Sequence, residues 1–200
     1  MTLLILIRHG ETAWNETKRF QGVSDIPLNS KGMAQAQSLA RSLEKERLAA
    51  IYTSPLIRAR QTAACLARHH SCPLVVVDDL RELNQGRLEG LTGEDLRRDF
   101  SDFLSQWLKE PGETVLPGGE SLGDLQRRVW TAIEEVIRKH PEEKVAVVAH
   151  SFVILTILCQ ALEMPLKAFR RFRLDPTGKN IIEFSERGAT LRCLNDTCHL

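Results

Sequence analysis

The sequence predicts an α/β fold, a three-layer α/β/α sandwich around a mainly parallel central sheet. Two observations lead to this prediction. Short apolar runs alternate with amphipathic stretches along the chain, and the strongest of those runs are apolar throughout. Such strands are typical of parallel sheets that helices cover on both faces. A chain of 200 residues, 42% of them hydrophobic, can bury a sizeable core, so we expect one domain over residues 1–200.

Six short runs are predicted to be strands. Leu3–Ile7 and Lys144–Ala149 are continuously apolar, which is typical of buried central strands. Four further strands are predicted. They are the short apolar run 50–53, the valine-rich run 74–77, and the runs 180–184 and 189–194 near the carboxyl terminus.

Four stretches are predicted to be helices, because they combine apolar positions at helical spacing with a recognisable start or end. They are a helix that Ser30 caps and that has apolar positions up to Leu43, a helix that Pro55 begins and that runs towards Arg68, a long helix that Ser121 opens and that stops near His140, and the apolar stretch 152–162.

The segment 80–119 differs from the rest of the chain. It is polar, rich in glycine and only weakly helical, and it interrupts the alternation of strands and helices. We interpret it as an insertion that forms a lid or pocket wall over one end of the sheet, within the same domain.

Charge and composition exclude several kinds of partner. The formal net charge is only +1, so no nucleic acid and no anionic membrane is expected as a partner. The apolar run at residues 3–7 is too short for a membrane span or a secretory signal. Five cysteines without a C-x-x-C pair favour reduced thiols and a cytoplasmic location. The sequence leaves the oligomeric state open, and a homodimer is among the states that it allows.

Two histidines directly follow predicted strands. His9 comes after the first strand and His150 after the strand 144–149. Open parallel sheets bind ligands beyond the carboxyl ends of their strands, so this placement indicates a site. Arg8 is adjacent to His9, and Arg58 lies at the start of a helix, where anions are favoured. These residues predict a phosphate site.

The same residues suit phosphoryl transfer. A neutral imidazole can attack phosphorus, and two arginines can offset the charge of the transferring group. Where it faces the phosphate, a protonated His150 is expected to add to that positive charge. An alkoxide leaving group needs an acid, which a carboxyl group with a raised pKa can supply. The segment 80–119 offers Glu82, and the residues alone do not select it over Glu89 or Glu94.

An ordered set of motifs resembles the signature of the histidine phosphatase superfamily, the phosphoglycerate-mutase-like enzymes. The set runs through most of the chain. It comprises Leu6-Ile7-Arg8-His9-Gly10-Glu11-Thr12, Trp14-Asn15, Gln21-Gly22, Asp25-Ile26-Pro27-Leu28, Gly32, Gln35-Ala36, Ser54-Pro55-Leu56, Arg58-Ala59, Gln61-Thr62-Ala63, Glu82, Gly86, Glu89-Gly90, Pro117-Gly118-Gly119-Glu120-Ser121 and Val147-Val148-Ala149-His150.

The resemblance implies a role for each matching residue. His9 is implied to become phosphohistidine, and Glu82 to be the proton donor and later the base for water. The residues implied to bind the phosphoryl group or the substrate are Arg8, Arg58, His150, Asn15, Gln21, Gly22 and Ser151. Neither a metal nor a cofactor is implied.

Two positions depart from the family pattern. Ser151-Phe152 stands where many relatives have two glycines, and Leu88 stands where tryptophan is frequent. Ser151 can add a hydroxyl contact, and Phe152 can narrow the pocket. Neither change touches an implied catalytic group, so both leave the chemistry intact and the substrate open.

The implied function is a phosphatase for phosphomonoesters of small metabolites, with phosphoserine, α-ribazole 5′-phosphate or a sugar phosphate as candidate substrates. The alternative is a phosphoglycerate mutase, although mutases of this family usually have an extra middle segment for which this chain lacks room. A binding module without activity is disfavoured because His9, Arg58 and His150 are all present.

Other chemistries have weaker support. A zinc site at Cys65, His69, His70 and Cys72 lacks a second pair of ligands, and the acidic residues at 78–79, 99 and 102 are better interpreted as solvated carboxylates. No Cys-x5-Arg loop and no P-loop occur. The carboxyl-terminal tail, residues 194–200, resembles tails that lie near the active site in small phosphatases of the superfamily.

Overall fold

The computed structural model describes residues 1–200, and six strands form its single sheet. In chain order they are β1 (Thr2–Arg8), β2 (Ala50–Thr53), β3 (Leu74–Val76), β4 (Lys144–Ala149), β5 (Lys179–Ser185) and β6 (Gly188–Asp196). They lie in the order β3-β2-β4-β1-β5-β6. The first four are mutually parallel and β5 is antiparallel to both of its neighbours. The prediction of a mainly parallel sheet is confirmed.

Seven α-helices and three short 3-10 helices connect the strands. The α-helices are α1 (Ala13–Glu16), α2 (Ser30–Leu43), α3 (Ile57–Ala67), α4 (Gly93–Asp99), α5 (Ser101–Lys109), α6 (Leu122–Lys139) and α7 (Ser151–Ala161). The 3-10 helices are Asp78–Leu80, Gly86–Leu88 and Leu166–Arg171. None of the helices is both long enough and apolar enough to cross a membrane.

The sheet separates two apolar layers, as a sandwich requires. Successive side chains of a strand point to opposite faces. Ile5 and Ile7 of β1 therefore pack with α2 and α3, whereas Leu4 and Leu6 pack with α6 and α7. The strand β4 divides its residues between the two faces in the same way. Helices thus cover both faces, and the predicted three-layer α/β/α arrangement is confirmed.

Two predicted helix starts differ from the structure by one or two residues. Asn29, not Ser30, caps α2, and its side chain accepts a hydrogen bond from the Gly32 amide at 2.7 Å. Both residue types are good caps, so composition could not separate them. Pro55 lies before α3, whose N-cap is Leu56. The predicted Ser121 cap of α6 is confirmed, with Asp124 as the reciprocal partner.

The segment 80–119 buries more apolar side chains than its polar composition predicts. It contains α4 and α5, and five of its leucines are buried in the larger apolar layer: Leu80, Leu83, Leu88, Leu96 and Leu116. Arg128 of α6 holds the beginning of the segment by donating to the carbonyls of Asp79, Arg81 and Glu82. The segment therefore contains more helix and more buried leucines than its irregular spacing indicated, and its role as a lid or pocket wall stays a prediction.

Candidate active site

The two predicted histidines meet at one edge of the sheet. The strands β1 and β4 are adjacent and parallel, so both end at this edge. The rings of His9 and His150 lie with their centroids 5.2 Å apart, and both residues are buried. The His9 amide donates to the Ala149 carbonyl at 3.0 Å, which ties the two strand ends together. The carboxyl ends of two adjacent parallel strands thus bring both histidines together.

The tautomer of His9 follows from its hydrogen bond. Its Nδ1 lies 2.7 Å from the Gly10 carbonyl oxygen, which can only accept. The proton is therefore on Nδ1, and Nε2 carries a free lone pair. Burial, and then the nearby charges of Arg58 and Arg8, hold the pKa of His9 well below its usual 6.5. A neutral imidazole with a free Nε2 is the form that can attack phosphorus.

A hydrogen bond to Ser54 holds the ring of His150 in place. Its Nε2 lies 2.7 Å from the Ser54 hydroxyl oxygen, and its buried Nδ1 has no partner within the protein. Burial, Arg58 and His9 hold its pKa well below 6.5. Burial and the neighbouring charges therefore favour a neutral His150 in the free site, and its protonation when it faces a phosphate stays a prediction. A phosphate dianion beside the ring would favour protonation again.

The buried Arg58 and the half-buried Arg8 flank the histidines. Arg8 donates from Nη1 to the Leu174 carbonyl at 2.5 Å, and Arg58 donates from its two Nη atoms to the Ser24 and Gly22 carbonyls, each at 2.7 Å. The Nε atoms of both arginines are buried without a protein partner. Unpaired buried donors of this kind are costly unless a ligand accepts from them. The cluster therefore suits an anion such as phosphate.

The turn that holds Arg58 depends on Glu89. The Glu89 carboxylate accepts hydrogen bonds from the amides of Val23 and Ser24, both at 2.9 Å, and from the Ser24 hydroxyl. Gly22 has φ +50°, and a Cβ there would lie 2.1 Å from a Glu89 oxygen, so only glycine fits. Glu89 is thus engaged in positioning the carbonyls that fix Arg58.

Glu82 is the carboxyl group that the structure brings to the arginines. It is buried, and it accepts from the amides of Leu83 at 2.9 Å and Phe152 at 3.3 Å. Burial raises its pKa, although both hydrogen bonds and the charges of Arg58 and Arg8 oppose that shift. Glu94, the other alternative, is exposed on α4. Burial beside both arginines therefore favours Glu82 among the three glutamates that the residues left open.

The other predicted site residues include Asn15, Gln21 and Ser151. The side-chain oxygen of Asn15 accepts from the amide and the hydroxyl of Thr12, the N-cap of α1, and that of Gln21 accepts from the Thr12 hydroxyl at 2.9 Å. The amide nitrogens of both side chains have no partner among the protein groups. Ser151 begins α7, next to His150. These residues are placed so that donors, not acceptors, remain available to a ligand.

Three residues that were not predicted to be site residues support the cluster. Ser54 contacts His150, and Thr62 accepts from the Gly10 amide at 3.1 Å while it donates to the Arg58 carbonyl at 2.9 Å. Thr177 donates its amide to the Arg8 carbonyl at 3.0 Å. Ser54 directly follows β2, so the reasoning that found His9 and His150 at strand ends could also have found it.

The carboxyl-terminal tail is connected to Arg8 through Thr177. The Nε2 of His199 is 3.1 Å from the Thr177 hydroxyl oxygen, and the Thr177 amide contacts the carbonyl of Arg8. The tail therefore supports the turn at Thr177, next to Arg8.

No three His, Cys, Asp or Glu side chains of the chain come together in a group that could hold a metal ion.

The fold and this cluster are typical of α/β enzymes that bind a phosphate group of their substrate. A model of the histidine phosphatase superfamily (branch 1) matches residues 4–197, and the chain belongs to that superfamily. The fold is accordingly phosphoglycerate-mutase-like, and the protein is a phosphoric monoester hydrolase.

Three similar proteins illustrate the family. Phosphoserine phosphatase 1 of Hydrogenobacter thermophilus is 34% identical over all of this chain and 95% of its own length. A protein of Yersinia enterocolitica named probable phosphoglycerate mutase GpmB is 33% identical over the same shares. A mutant phosphoserine phosphatase of Entamoeba histolytica, solved in complex with phosphoserine, is 30% identical, with a TM-score of 0.89 over the full length of both chains.

Proposed function

We propose that this phosphatase acts on small phosphorylated metabolites through a phosphohistidine intermediate on His9. The observation that carries the proposal is the state of the His9 imidazole. Its Nδ1 donates to the Gly10 carbonyl, its Nε2 is free, burial lowers its pKa, and it lies beside two arginines whose buried Nε atoms lack protein partners. This arrangement supplies a nucleophile and an anion site at the same place.

The proposed reaction has two steps. In the first, Nε2 of His9 attacks phosphorus, the bond to the alcohol oxygen breaks, and Glu82 gives its proton to that oxygen. In the second, the Glu82 carboxylate takes a proton from water, the water oxygen attacks phosphorus, and the bond to Nε2 breaks. Phosphate leaves, and both residues return to their starting protonation states.

Binding of the phosphoryl group is assigned to the surrounding donors. Arg8 and Arg58 supply fixed positive charge, and His150 takes up a proton when the phosphate dianion arrives. The amide groups of Asn15 and Gln21, the backbone N–H of Gly22 and the hydroxyl of Ser151 complete the proposed contacts. We assign to the segment 80–119 the role of pocket wall within a single domain.

Phosphoserine is the first substrate to assay. Two of the similar proteins described above are named phosphoserine phosphatases, one of them solved with phosphoserine. α-Ribazole 5′-phosphate and sugar phosphates are the further candidates. Initial rates with each ester, ranked by kcat/KM without added metal, test the substrate class.

A histidine substitution tests the intermediate. His9→Ala should abolish turnover and leave the circular dichroism spectrum unchanged. Brief reaction of the unmodified chain with 32P-labelled substrate should give an acid-labile, base-stable adduct on His9. The matched control is His69→Ala, since His69 lies on the surface beyond α3, and it should label normally. An acid-stable adduct on serine or aspartate refutes the proposal.

A mutase is the second candidate, because a similar protein carries that name. The two activities differ in the fate of the phosphohistidine. A phosphatase passes the phosphoryl group to water, whereas a mutase must exclude water and return the group to the sugar acid. Single-turnover reactions of 3-phosphoglycerate with and without 2,3-bisphosphoglycerate distinguish them: phosphate release in both supports a phosphatase, and 2-phosphoglycerate formation that needs the bisphosphate supports a mutase.

A further inference from the structure

The guanidinium group of Arg8 makes a single hydrogen bond to the protein. Its Nη1 donates to the carbonyl oxygen of Leu174 at 2.5 Å, and its Nε is buried without a partner. The guanidinium group of Arg58, by contrast, donates to two carbonyl oxygens. The direction in which Arg8 presents its free donors therefore depends on one peptide group, which joins Leu174 to Asp175.

Asn195 holds the other end of that peptide group. A peptide unit is planar and comprises the carbonyl of one residue and the N–H of the next. The carbonyl of Leu174 accepts from Arg8. The N–H of the same unit, on Asp175, donates to Oδ1 of Asn195 at 2.7 Å. Asn195 thus fixes the rigid unit whose oxygen fixes Arg8, and hydrogen bonds in such a chain polarise and strengthen one another.

Both ends of the Asn195 side-chain amide contact the same residue. While Oδ1 accepts from the N–H of Asp175, Nδ2 donates to its carboxylate at 2.8 Å. The other carboxylate oxygen accepts from Arg173 at 3.1 Å, and the Asp175 carbonyl accepts from the Gly178 amide at 3.0 Å. Every polar group of Asp175 is therefore engaged. Asparagine suits position 195 because it offers one acceptor and one donor on a short side chain.

The backbone conformation of Asn195 is one that residues other than glycine rarely adopt. Its φ is +50°, although it lies in the strand β6. Its amide donates at 2.9 Å to Oδ1 of Asn180, a fully buried residue that donates in turn to the Leu6 carbonyl of β1. A Cβ at Gly178 would lie 2.4 Å from Oδ1 of Asn195, so glycine is needed for this close approach. Strained residues that are held in this way are concentrated at functional sites.

We propose that Asn195 is a positioning residue for phosphate binding, which fixes the peptide between Leu174 and Asp175 and, through it, the guanidinium group of Arg8. The inference rests on the proposed function, because that function assigns Arg8 to the phosphoryl group. Asn195 makes no hydrogen bond to Arg8 itself, so its effect on binding passes through the peptide.

Asn195→Gly tests this role without a change in charge. Glycine adopts a φ of +50° without strain, so the variant keeps the backbone and loses only the side-chain contacts. The Kd of inorganic phosphate, measured by calorimetric titration, should rise about tenfold, the effect of one hydrogen bond to a charged group. Glu142→Gly is the matched control, since Glu142 has a φ of +63° just before β4, at the opposite end of the sheet. The control should bind phosphate normally, and an unchanged Kd in Asn195→Gly overturns the proposal.

A double-mutant cycle shows whether the effect passes through Arg8. When Arg8→Ala is already present, the addition of Asn195→Gly should change the Kd of phosphate by less than about twofold, because the group that Asn195 positions is gone. A tenfold rise with and without Arg8→Ala means that Asn195 supports the fold as a whole, and it refutes a positioning role.

An exchange of the two side chains tests the contact between them. Asn195→Asp places two carboxylates at the contact of 2.8 Å, so phosphate binding should weaken at least as much as in Asn195→Gly. Addition of Asp175→Asn supplies the amide donor from the other side and should restore the Kd of the unsubstituted chain. Asp175→Asn alone should bind phosphate normally, because its amide oxygen still accepts from Asn195. Failure of the exchange to restore binding, or a loss in Asp175→Asn as large as in Asn195→Gly, overturns the proposal.

The same titrations separate this proposal from the proposed function, because phosphate binding is measured without turnover. If Arg8→Ala binds phosphate as tightly as the unsubstituted chain, the assignment of Arg8 to the phosphoryl group is refuted, and Asn195 has no group to position. If Arg8→Ala loses affinity and Asn195→Gly does not, the proposed function stands and the role of Asn195 is refuted.

Discussion

The role of Glu82 as the acid makes a prediction that depends on the leaving group. Glu82→Gln preserves the size of the side chain, and its remaining carbonyl oxygen can still accept from the Leu83 amide. The hydrogen bond lost to the Phe152 amide is long, at 3.3 Å, so little binding energy should be lost with it. The substitution therefore removes a proton donor while it leaves the pocket nearly intact.

The size of the effect follows from the chemistry of the leaving oxygen. An alkyl phosphate leaves as a basic alkoxide, and loss of the acid should lower kcat/KM by about 10²–10⁴. p-Nitrophenyl phosphate leaves without protonation, so its first step should change much less. The first step is measured as the burst of p-nitrophenol in stopped flow. The second step is expected to slow for both substrates, because the same carboxylate activates water.

Two other glutamates provide controls. Glu94→Gln alters an exposed residue on α4 and should change neither substrate's rates. Glu89→Gln weakens the turn that fixes Arg58, so KM should rise equally for both substrates. Equal losses in the burst for alkyl and p-nitrophenyl phosphates in Glu82→Gln would assign Glu82 to binding and refute its role as the acid.

Three further predictions follow from the same site. Because burial lowers the pKa values of His9 and His150, the unfolded chain binds more protons below pH 6.5. In urea denaturation, the free energy of unfolding should decrease as the pH is lowered below 6.5, by up to about 1.4 kcal/mol per histidine per pH unit, and less steeply with phosphate bound. A free energy of unfolding that does not depend on pH contradicts neutral histidines. Ser54→Ala removes the partner of His150 and should lower kcat about tenfold, the effect of one hydrogen bond to a charged group, with little change in the His9 burst; an unchanged kcat excludes a positioning role. Activity should survive excess EDTA, and restoration by magnesium after inactivation would refute the metal-free mechanism.

The strand framework was predictable because it depends on local patterns. Apolar runs such as Leu3–Ile7 are buried on both faces and carry their own signal, and parallel pairing then brings the ends of β1 and β4 together. The placement of His9 and His150 follows from that alone. The arginines were predictable for the same reason, since Arg8 is adjacent to a strand end and Arg58 begins a helix.

The residues that the sequence did not resolve depend on contacts between distant segments. Glu82, Glu89 and Glu94 lie in one irregular segment without a period, so only the folded chain shows that one of them is buried beside the arginines. The state of His150 depends on the same contacts, because its pKa reflects burial and Arg58. The interaction of His199 with Thr177 joins residues that no local pattern relates.

Burial explains how one small site can hold its two reactive groups in the forms that the proposed reaction needs. Loss of hydration disfavours the charged form of any group, so it lowers the pKa of His9 and raises that of Glu82. The arginines reinforce the effect on His9 but oppose it on Glu82, where burial is nevertheless the larger influence. Burial therefore favours the neutral form of both the nucleophile and the acid, beside two fixed positive charges. Exposing the site to water would raise the pKa of His9 and lower that of Glu82. The apolar residues around Leu83 and Phe152 therefore contribute to catalysis as well as to packing.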